Sequence, residues 1–139
     1  MAAHILLPRL DPDYPATLSP AIITGLLRDK IGYKGVVITD DMTMGAIAKH
    51  YPLKEAAVRA VQAGNDLVLV AHGYSQVQEA AAGLKEALAD GRLTWARIDE
   101  SVARVLALKA ARKLADEPTA AAPDIEALRA AITKALAVK

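Results

Sequence analysis

The chain has 139 residues, of which 53% are hydrophobic and 24% charged, a composition typical of a globular domain rather than a disordered segment. Its net charge of +1 and interleaved acidic and basic residues provide no basic stripe for nucleic acid, and no apolar run reaches the roughly 20 residues that span a bilayer. The absence of cysteine excludes disulfides, thiolate catalysis and cysteine-ligated metals. We therefore expect neither nucleic acid nor a membrane as a partner.

The first predicted elements are a strand and a helix. Residues 2–7 are short and apolar, and Pro8 closes this strand because proline lacks a backbone donor. A loop rich in aspartate and proline ends at Ser19, which can cap a helix, and Pro20, which fits its first turn. A helix at residues 20–30 is predicted because its apolar side chains fall on one stripe, formed by Ile22, Ile23, Leu26 and Leu27.

Two further segments are typical of parallel strands buried on both faces. The β-branched run at residues 35–39 ends in Asp40-Asp41, and residues 66–71 repeat the apolar pattern. Helical spacing and capping signals, including Ser75 and Thr94 as caps and Gly64 as a stop, predict helices at residues 44–48, 53–63, 75–89 and 94–114.

Strands and helices therefore alternate, which predicts an α/β fold with a parallel sheet and right-handed crossovers. Such a sheet is either doubly wound or part of a (β/α)8 barrel. The composition changes after this body, at residues 1–115, to a linker rich in alanine and proline at residues 116–123. Apolar residues at helical spacing predict a C-terminal helix at residues 124–139.

Candidate catalytic residues are expected where parallel strands end, because the loops converge there on a rigid sheet. Three places qualify: His4, the pair Asp40-Asp41, and His72. Asp40 is the strongest candidate, since two adjacent carboxylates after a buried strand must be satisfied by neighbours or used. From the residues alone, a solvated acid pair that caps an ordinary loop and a catalytic acid both remain open.

The histidines are weaker candidates. His4 can reach the same end of the sheet, and the alternative is a histidine satisfied by a backbone group. His72 is weaker still, and His50 is predicted to lie in a surface loop. No pair of histidines or acids has metal-ligand spacing, and neither a phosphate-binding glycine motif nor a nucleophile elbow occurs, so neither a metal nor a cofactor is predicted.

Residues 35–44 read Gly-Val-Val-Ile-Thr-Asp-Asp-Met-Thr-Met and resemble the signature of glycoside hydrolase family 3, G-V-(V/I)-(F/I/V)-(S/T)-D-(D/A)-L-x-M. Four other segments are similar to motifs of the same family, in the same order. They are Met-Ala-Ala-His-Ile at residues 1–5, Pro-Ala-Thr-Leu-Ser at 15–19, Ala-Gly-Asn-Asp-Leu-Val-Leu at 63–69, and the helix segment at 98–109. The resemblance covers most of residues 1–115.

Within the family, the chain most resembles bacterial β-N-acetylhexosaminidases, cytoplasmic enzymes that release N-acetylglucosamine from peptidoglycan fragments. The resemblance places Asp40 at the catalytic nucleophile of a retaining, two-step hydrolysis of a small carbohydrate substrate, an N-acetylglucosaminide. It implies a cytoplasmic location, and we take His4 as a candidate substrate-binding residue. Asp41 matches a position where the family also has alanine, so it receives no catalytic role.

One family motif is absent from the chain. The loop that carries the acid/base histidine and aspartate, near K-H-F-P-G-H-G, has no counterpart here. If residues 2–7 are the sixth strand, the chain holds the last three βα units of a TIM barrel, which takes roughly 250 residues. We therefore expect the chain alone to be inactive, with an exposed apolar edge that pairs with a complementary barrel fragment or self-associates.

Two other functions are compatible with the sequence. A receiver-like phosphoacceptor domain also has a strand that ends in two aspartates, but its phosphorylated aspartate belongs at the end of a later strand, where this chain has Ala71. The other is a truncated relic or interaction module, which keeps the packing of the barrel without its activity.

Overall fold

The computed structural model describes residues 1–114 and, further along, residues 126, 127, 129 and 134, which are helical. The helices are α1 (Ala21–Lys30), which has the wider hydrogen-bond spacing of a π-helix, α2 (Gly45–Ala48), α3 (Leu53–Ala63), α4 (Tyr74–Ala89) and α5 (Trp95–Ala111). A short 3-10 helix spans Ala16–Leu18, and the strands are β1 (Ile38–Asp41) and β2 (Leu67–Leu69). The predicted linker at 116–123 and, apart from those four residues, the predicted helix at 124–139 lie outside the described residues. Among the described helices, none combines the length and apolarity needed to cross a membrane.

The sheet is parallel, as predicted. β1 and β2 pair with Ile38 beside Leu67 and Asp41 beside Leu69, with an irregularity between the two points. On the other side of β1, Ala2 forms a single parallel bridge with Thr39. The predicted α/β fold class is thus confirmed, with a small sheet of two paired strands and one bridge.

The strand predicted at residues 2–7 is wrong beyond this bridge. The chain turns away because the carbonyl of Ile5 accepts the Ala16 N–H at 2.8 Å, and the carbonyl of Leu7 accepts the N–H groups of Leu10 and Asp11. These local bonds use carbonyls that a longer ladder would need.

The predicted burial of both strands on two faces is also wrong. In β1, Thr39 and Asp41 are buried, whereas Ile38 and Asp40 are only partly buried; in β2, Leu67 is 41% exposed. Helices cover only one face of the sheet among the described residues, so the strands have one buried side and one open side. Hereafter we call these the helix side and the open side.

Helix α3 is the centre of the core, because each of the three apolar clusters contains residues from it. Ala56 and Ala60 pack with Leu18, Met42 and Ile47; Ala63 packs with Ile22, Ile23 and Val37; and Val58 and Val61 pack with Ala87 and Leu93. The many alanines of α3 allow its neighbours to approach closely, which maintains the density of the core without aromatic residues.

The carboxyl end of α3 is held by a glycine and by cations. Gly64 adopts a left-handed conformation with φ +113°, which confirms the predicted stop. Arg28 donates from Nε and Nη2 to the Gly64 carbonyl, and Arg97 donates from Nε to the carbonyl of Val61 at 3.1 Å. Positive charge at this end of a helix is favourable, because the free carbonyls carry partial negative charge.

The predicted caps have mixed outcomes. Ser19 Oγ accepts the Ile22 N–H and Thr94 Oγ1 accepts the Arg97 N–H, each at 3.2 Å, so both predictions are confirmed. Ser75 does not cap α4, because Gly73, with φ +74°, already provides the turn into a helix that begins at Tyr74. α5 ends at Ala111, before the predicted position 114.

Gly83 marks the crossing of α4 over α3. A Cβ atom at this position would lie 2.8 Å from backbone atoms of Lys54. We expect Gly83→Ala to lower the free energy of unfolding by about 1–3 kcal/mol, because overpacking against backbone outweighs a gain of roughly 0.5–1 kcal/mol in helix propensity. Urea unfolding followed by circular dichroism measures this change.

Gly25→Ala in α1 is the matched control. The nearest atom to its added Cβ would be the Pro20 carbonyl oxygen at 3.9 Å, an ordinary contact. This substitution should leave the free energy of unfolding unchanged or raise it by up to about 1 kcal/mol. Changes of the same sign at the two glycines would contradict the close crossing.

Candidate active site

Asp40 is the next-to-last residue of β1 and lies at the carboxyl end of the sheet. Its N–H donates to the Ala2 carbonyl at 2.9 Å, so its backbone is fixed by the bridge. Its Oδ1 accepts the Asp41 N–H at 2.8 Å, and Oδ2 has no hydrogen-bond partner among the described residues. The carboxylate is therefore held by one oxygen and open at the other, as a nucleophile requires.

The alternation of β1 separates the two adjacent aspartates. Asp40 lies on the open side with Ile38, and Asp41 lies on the helix side with Thr39. Their chemistry therefore differs although they are neighbours in sequence. Only Asp40 can face a ligand bound on the open side of the sheet.

Asp41 joins the carboxyl ends of the two strands. Its Oδ1 accepts the N–H groups of Thr43 and Ala71, each at 3.0 Å, and its Oδ2 contacts Thr43 Oγ1 at 2.7 Å and His72 Nδ1 at 3.0 Å. Burial raises the pKa of the Asp41 carboxyl, but the hydrogen bonds from Thr43, Ala71 and His72 outweigh it and hold the pKa well below its usual range. Asp41 is therefore ionised at neutral pH and holds the carboxyl ends of both strands in place.

Removal of this carboxylate should destabilise the end of the sheet that carries Asp40. We expect Asp41→Ala to lower the free energy of unfolding by about 2–3 kcal/mol at pH 7, because two backbone N–H groups lose their acceptor. The lowered pKa means that this contribution is present above the unfolded pKa of about 3.9 and is lost as pH falls further. Urea titrations at several pH values measure both effects.

His72→Ala is the control for that substitution. The His72 side chain is 76% exposed, so its contact with Asp41 is accessible to water. The change in the free energy of unfolding should stay below about 0.5 kcal/mol. A loss equal to that of Asp41→Ala would show that the imidazole, rather than the backbone donors, carries the interaction.

His4 lies next to Asp41 rather than next to Asp40. Its Nε2 is 3.0 Å from the Asp41 carbonyl oxygen and its Nδ1 is 2.9 Å from Thr17 Oγ1. Because a carbonyl only accepts, Nε2 carries a proton and donates it. Both ring nitrogens have protein partners, which is the arrangement of a backbone-satisfied histidine, and substrate binding by His4 stays a prediction.

The remaining histidines form no hydrogen bond with Asp40 among the described residues. His50 is exposed in the loop after α2, as predicted, and its ring is steeply inclined to that of Tyr51 with the centroids 6.5 Å apart. His72 contacts Asp41 and Thr43, as described above. Among residues 1–114 and the four described further along, no group of three or more histidine, aspartate or glutamate side chains could hold a metal ion.

Sequence reasoning missed the role of Asp66, at the opposite end of the sheet. Its side chain has no exposed surface. Its Oδ2 accepts from Arg28 Nη2 at 2.7 Å and the Val37 N–H at 2.9 Å, and its Oδ1 accepts from Ser101 Oγ at 2.9 Å and Arg104 Nη1 at 3.0 Å. Burial raises the pKa of Asp66, but these donors outweigh it and lower the pKa.

The Asp66 carboxylate, which lies just before β2, joins α1, α5 and the segment that leads into β1. It lies at the amino end of the strands, away from Asp40, so it stabilises the sheet that positions the site. A signal was present in the sequence: Asp66 opens an apolar strand, and Arg28 and Arg104 fall within apolar helices. Charges in such positions need partners.

A parallel α/β fold with a half-open carboxylate at the carboxyl end of a strand places the chain among the α/β proteins whose active sites lie at that end of the sheet. Residues 1–108 match the family profile described as "Glycosyl hydrolase family 3 N terminal domain". The chain belongs to glycosyl hydrolase family 3.

Several relatives of the chain are named as β-hexosaminidases or β-N-acetylglucosaminidases. A "Beta-N-acetylglucosaminidase/beta-glucosidase" of Cellulomonas fimi is 33% identical over 79% of this chain and 21% of that protein. "Beta-hexosaminidase LpqI" of Mycobacterium tuberculosis is 36% identical over 78% of this chain and 29% of that protein. The solved β-N-acetylglucosaminidase of Paenibacillus sp. str. FPU-7 is 43% identical, with a TM-score of 0.82 over 89% of this chain and 24% of that structure. The chain spans less than a third of each.

Proposed function

We propose that the chain is the nucleophile-bearing part of a retaining β-N-acetylhexosaminidase, and that it corresponds to the last three βα units of a (β/α)8 barrel. The relatives named above support the sugar class. The observation that carries the proposal is the carboxylate of Asp40, which is fixed through Oδ1 and free at Oδ2 on the open side of β1. In a closed barrel, that side faces the interior and its mouth.

The proposed reaction has two displacements at one carbon. Oδ2 of Asp40 attacks the anomeric carbon, the bond to the leaving oxygen breaks, and a glycosyl ester forms. Water then gives a proton to the group that had protonated the leaving oxygen and attacks the same carbon from the opposite face, and the ester bond breaks with return of the electron pair to Asp40. Two inversions restore the original configuration of the sugar.

The acid that protonates the leaving oxygen is assigned to no described residue. No imidazole or second carboxyl contacts Asp40 among them, and His72 is bound through Nδ1 to Asp41. The proposal therefore needs further barrel units that supply this acid. Release of N-acetylglucosamine from peptidoglycan fragments and a cytoplasmic location remain predictions of the family resemblance.

The isolated chain tests the proposal first. We expect no turnover of nitrophenyl N-acetyl-β-glucosaminide above the rate in buffer, because the acid and most of the sugar pocket are missing. The same chain should hydrolyse this substrate, in preference to the nitrophenyl glucoside, when it is assembled with the remaining barrel units of a relative; we call this assembly the restored barrel. Liberated nitrophenol, followed by absorbance, is the measurement.

The isolated chain and the restored barrel can each give a result that contradicts the proposal. Turnover by the isolated chain that Asp40→Asn abolishes would contradict the need for further units. A folded restored barrel that hydrolyses neither substrate would contradict the assignment as a hydrolase and favour a non-catalytic module.

A further inference from the structure

The His4 imidazole is connected to the backbone on both sides of Asp40. Its Nε2 donates to the Asp41 carbonyl at 3.0 Å, and its Nδ1 lies 2.9 Å from Thr17 Oγ1. The Thr17 hydroxyl lies 3.1 Å from the Ala2 carbonyl oxygen, which also accepts the Asp40 N–H at 2.9 Å. One ring therefore contacts residue 41 directly and reaches the N–H of residue 40 through Thr17 and Ala2.

The Thr17 hydroxyl has one proton for two contacts. If it donates to the Ala2 carbonyl, His4 Nδ1 must carry a proton and donate to Oγ1, because two lone pairs repel each other at 2.9 Å. Nε2 carries a proton in either case, since a carbonyl only accepts. All three contacts are hydrogen bonds at the same time only when the imidazole is protonated on both nitrogens. With a neutral ring, the hydroxyl donates to Nδ1 and the Ala2 carbonyl loses this donor.

The donor matters because the segment around Ala2 has few bonds to the sheet. Its N–H donates to the Ile38 carbonyl at 2.8 Å, its carbonyl accepts the Asp40 N–H, and these two bonds form the single bridge beside β1. Thr17 is fully buried, and its neighbour Leu18 packs against α3. The hydroxyl therefore ties the bridge to the core of the chain.

We propose that His4 is a positioning residue, and that its proton sets how firmly the backbone of Asp40 is held through Thr17 and the Ala2 carbonyl. Its effect on hydrolysis rests on the proposed function, whereas the proton-dependent hydrogen bond does not. Oδ1 of Asp40 is bound to the Asp41 N–H, so a fixed backbone at residues 40 and 41 also fixes the direction of the free Oδ2. His4 thus acts on the nucleophile through the backbone rather than on the sugar.

Other groups near His4 also change charge with pH. Imidazoles and α-amino groups ordinarily titrate between about pH 5 and pH 8, where carboxyls are ionised. The titratable groups around the ring and the bridge, among the described residues, are the amino group of Met1, Asp13, Asp40, Asp41, His50, Tyr51 and His72. His50 and His72 are the two that can imitate the titration of His4, so each needs its own variant.

Nuclear magnetic resonance of the full chain, labelled with ¹⁵N, tests the hydrogen bond without any hydrolysis. We expect the chemical shift of the Asp40 N–H and the resonances of the His4 ring to change with pH at one midpoint. His4→Gln keeps a donor for the Asp41 carbonyl but gains no proton in this range, so the change at Asp40 should disappear. Thr17→Val should also abolish it because the hydroxyl is lost, and Thr17→Ser should retain it.

His50→Gln and His72→Gln are the matched controls. His50 lines the same cavity as His4, and His72 contacts the Asp41 carboxylate, yet neither ring contacts Thr17. The response of the Asp40 N–H should persist in both variants with its midpoint unchanged. Loss of the response in either control would assign the titration to another histidine and overturn the proposal.

The restored barrel tests the consequence for catalysis. Thr17→Val should lower kcat and leave KM unchanged, because the nucleophile is misdirected while the sugar contacts are kept. The ratio of the wild-type kcat to that of Thr17→Val should rise, by about tenfold, as pH falls through the titration of His4. The nucleophile and the acid are common to both proteins, so their own titrations cancel in this ratio. Thr17→Ser should behave as the wild type.

The proposal is overturned if the Asp40 N–H does not follow His4, if its response persists in His4→Gln, or if the kcat ratio is independent of pH. If Thr17→Val does not fold, the comparison of His4→Gln and Thr17→Ser with the wild type decides. A restored barrel that hydrolyses neither substrate, together with the expected resonance changes, would contradict only the proposed function.

Discussion

Asp66→Ala should lower the free energy of unfolding of the isolated chain by about 3–5 kcal/mol, the loss typical of a buried ion pair from which one partner is removed. Arg28 and Arg104 would then remain in the interior without their counter-charge, and the Val37 N–H without its acceptor. Urea unfolding at pH 7, followed by circular dichroism, measures the change.

Glu100→Ala is the matched control, since it removes another carboxylate that pairs with Arg104. Glu100 lies 3.5 Å from Arg104 Nη2 and 3.9 Å from Arg97 Nη1, but its side chain is 58% exposed. Its removal should cost about 0–1 kcal/mol. Equal losses for Asp66→Ala and Glu100→Ala would contradict a special role for the buried carboxylate.

The pH dependence of Asp66 provides an independent check. Because its pKa is lowered on folding, the unfolded chain binds a proton more readily, and stability falls as pH falls below about 5. Asp66→Asn cannot bind this proton, so its stability should be lower at pH 7 but change less between pH 5 and pH 3. If the free energies of unfolding of the wild type and of Asp66→Asn differed by the same amount at every pH, the pKa of the Asp66 carboxyl would be the same in the folded and unfolded chain.

The parts of the fold that depend on local signals were predictable. The run of alanines and valines that ends at Gly64 specifies α3 and its stop, and Thr94 specifies the start of α5. In each case the side chain or glycine acts on backbone groups within a few residues. Periodicity and capping patterns carry that information.

Strand boundaries were less predictable because distant carboxylates take their backbone donors. β1 was predicted from residue 35 but begins at Ile38, since the Val37 N–H donates to Asp66 rather than to a neighbouring strand. β2 was predicted to residue 71 but ends at Leu69, since the Ala71 N–H donates to Asp41. Both acceptors lie about thirty residues away in sequence, beyond the reach of a local pattern.

The candidate site was only partly predictable. The sequence indicates an acid pair after a buried strand, whereas Asp40 and Asp41 lie inside the strand, where alternation turns them to opposite sides. This separation gives Asp41 the bonds to Thr43 and Ala71 and leaves Asp40 open. Whether two adjacent acids share one role or two therefore depends on where the ladder ends.

In the restored barrel, Asp40→Asn should reduce kcat by about 10³-fold or more, because an amide cannot form the glycosyl ester. The amide oxygen can still accept the Asp41 N–H, so the free energy of unfolding should stay close to that of the wild type. Steady-state hydrolysis of the nitrophenyl substrate, with unfolding measured on the same samples, separates lost chemistry from lost structure.

Asp40→Gly makes the assignment specific to attack on the anomeric carbon. The shortened side chain leaves room for azide, which should restore turnover and yield an α-glycosyl azide from the β-linked substrate, since one displacement inverts the configuration once. Asp41→Gly is the matched variant, and azide should not rescue it because Asp41 lies on the helix side of β1. Rescue of Asp41→Gly alone, or a β-azide from Asp40→Gly, would transfer the nucleophilic role away from Asp40.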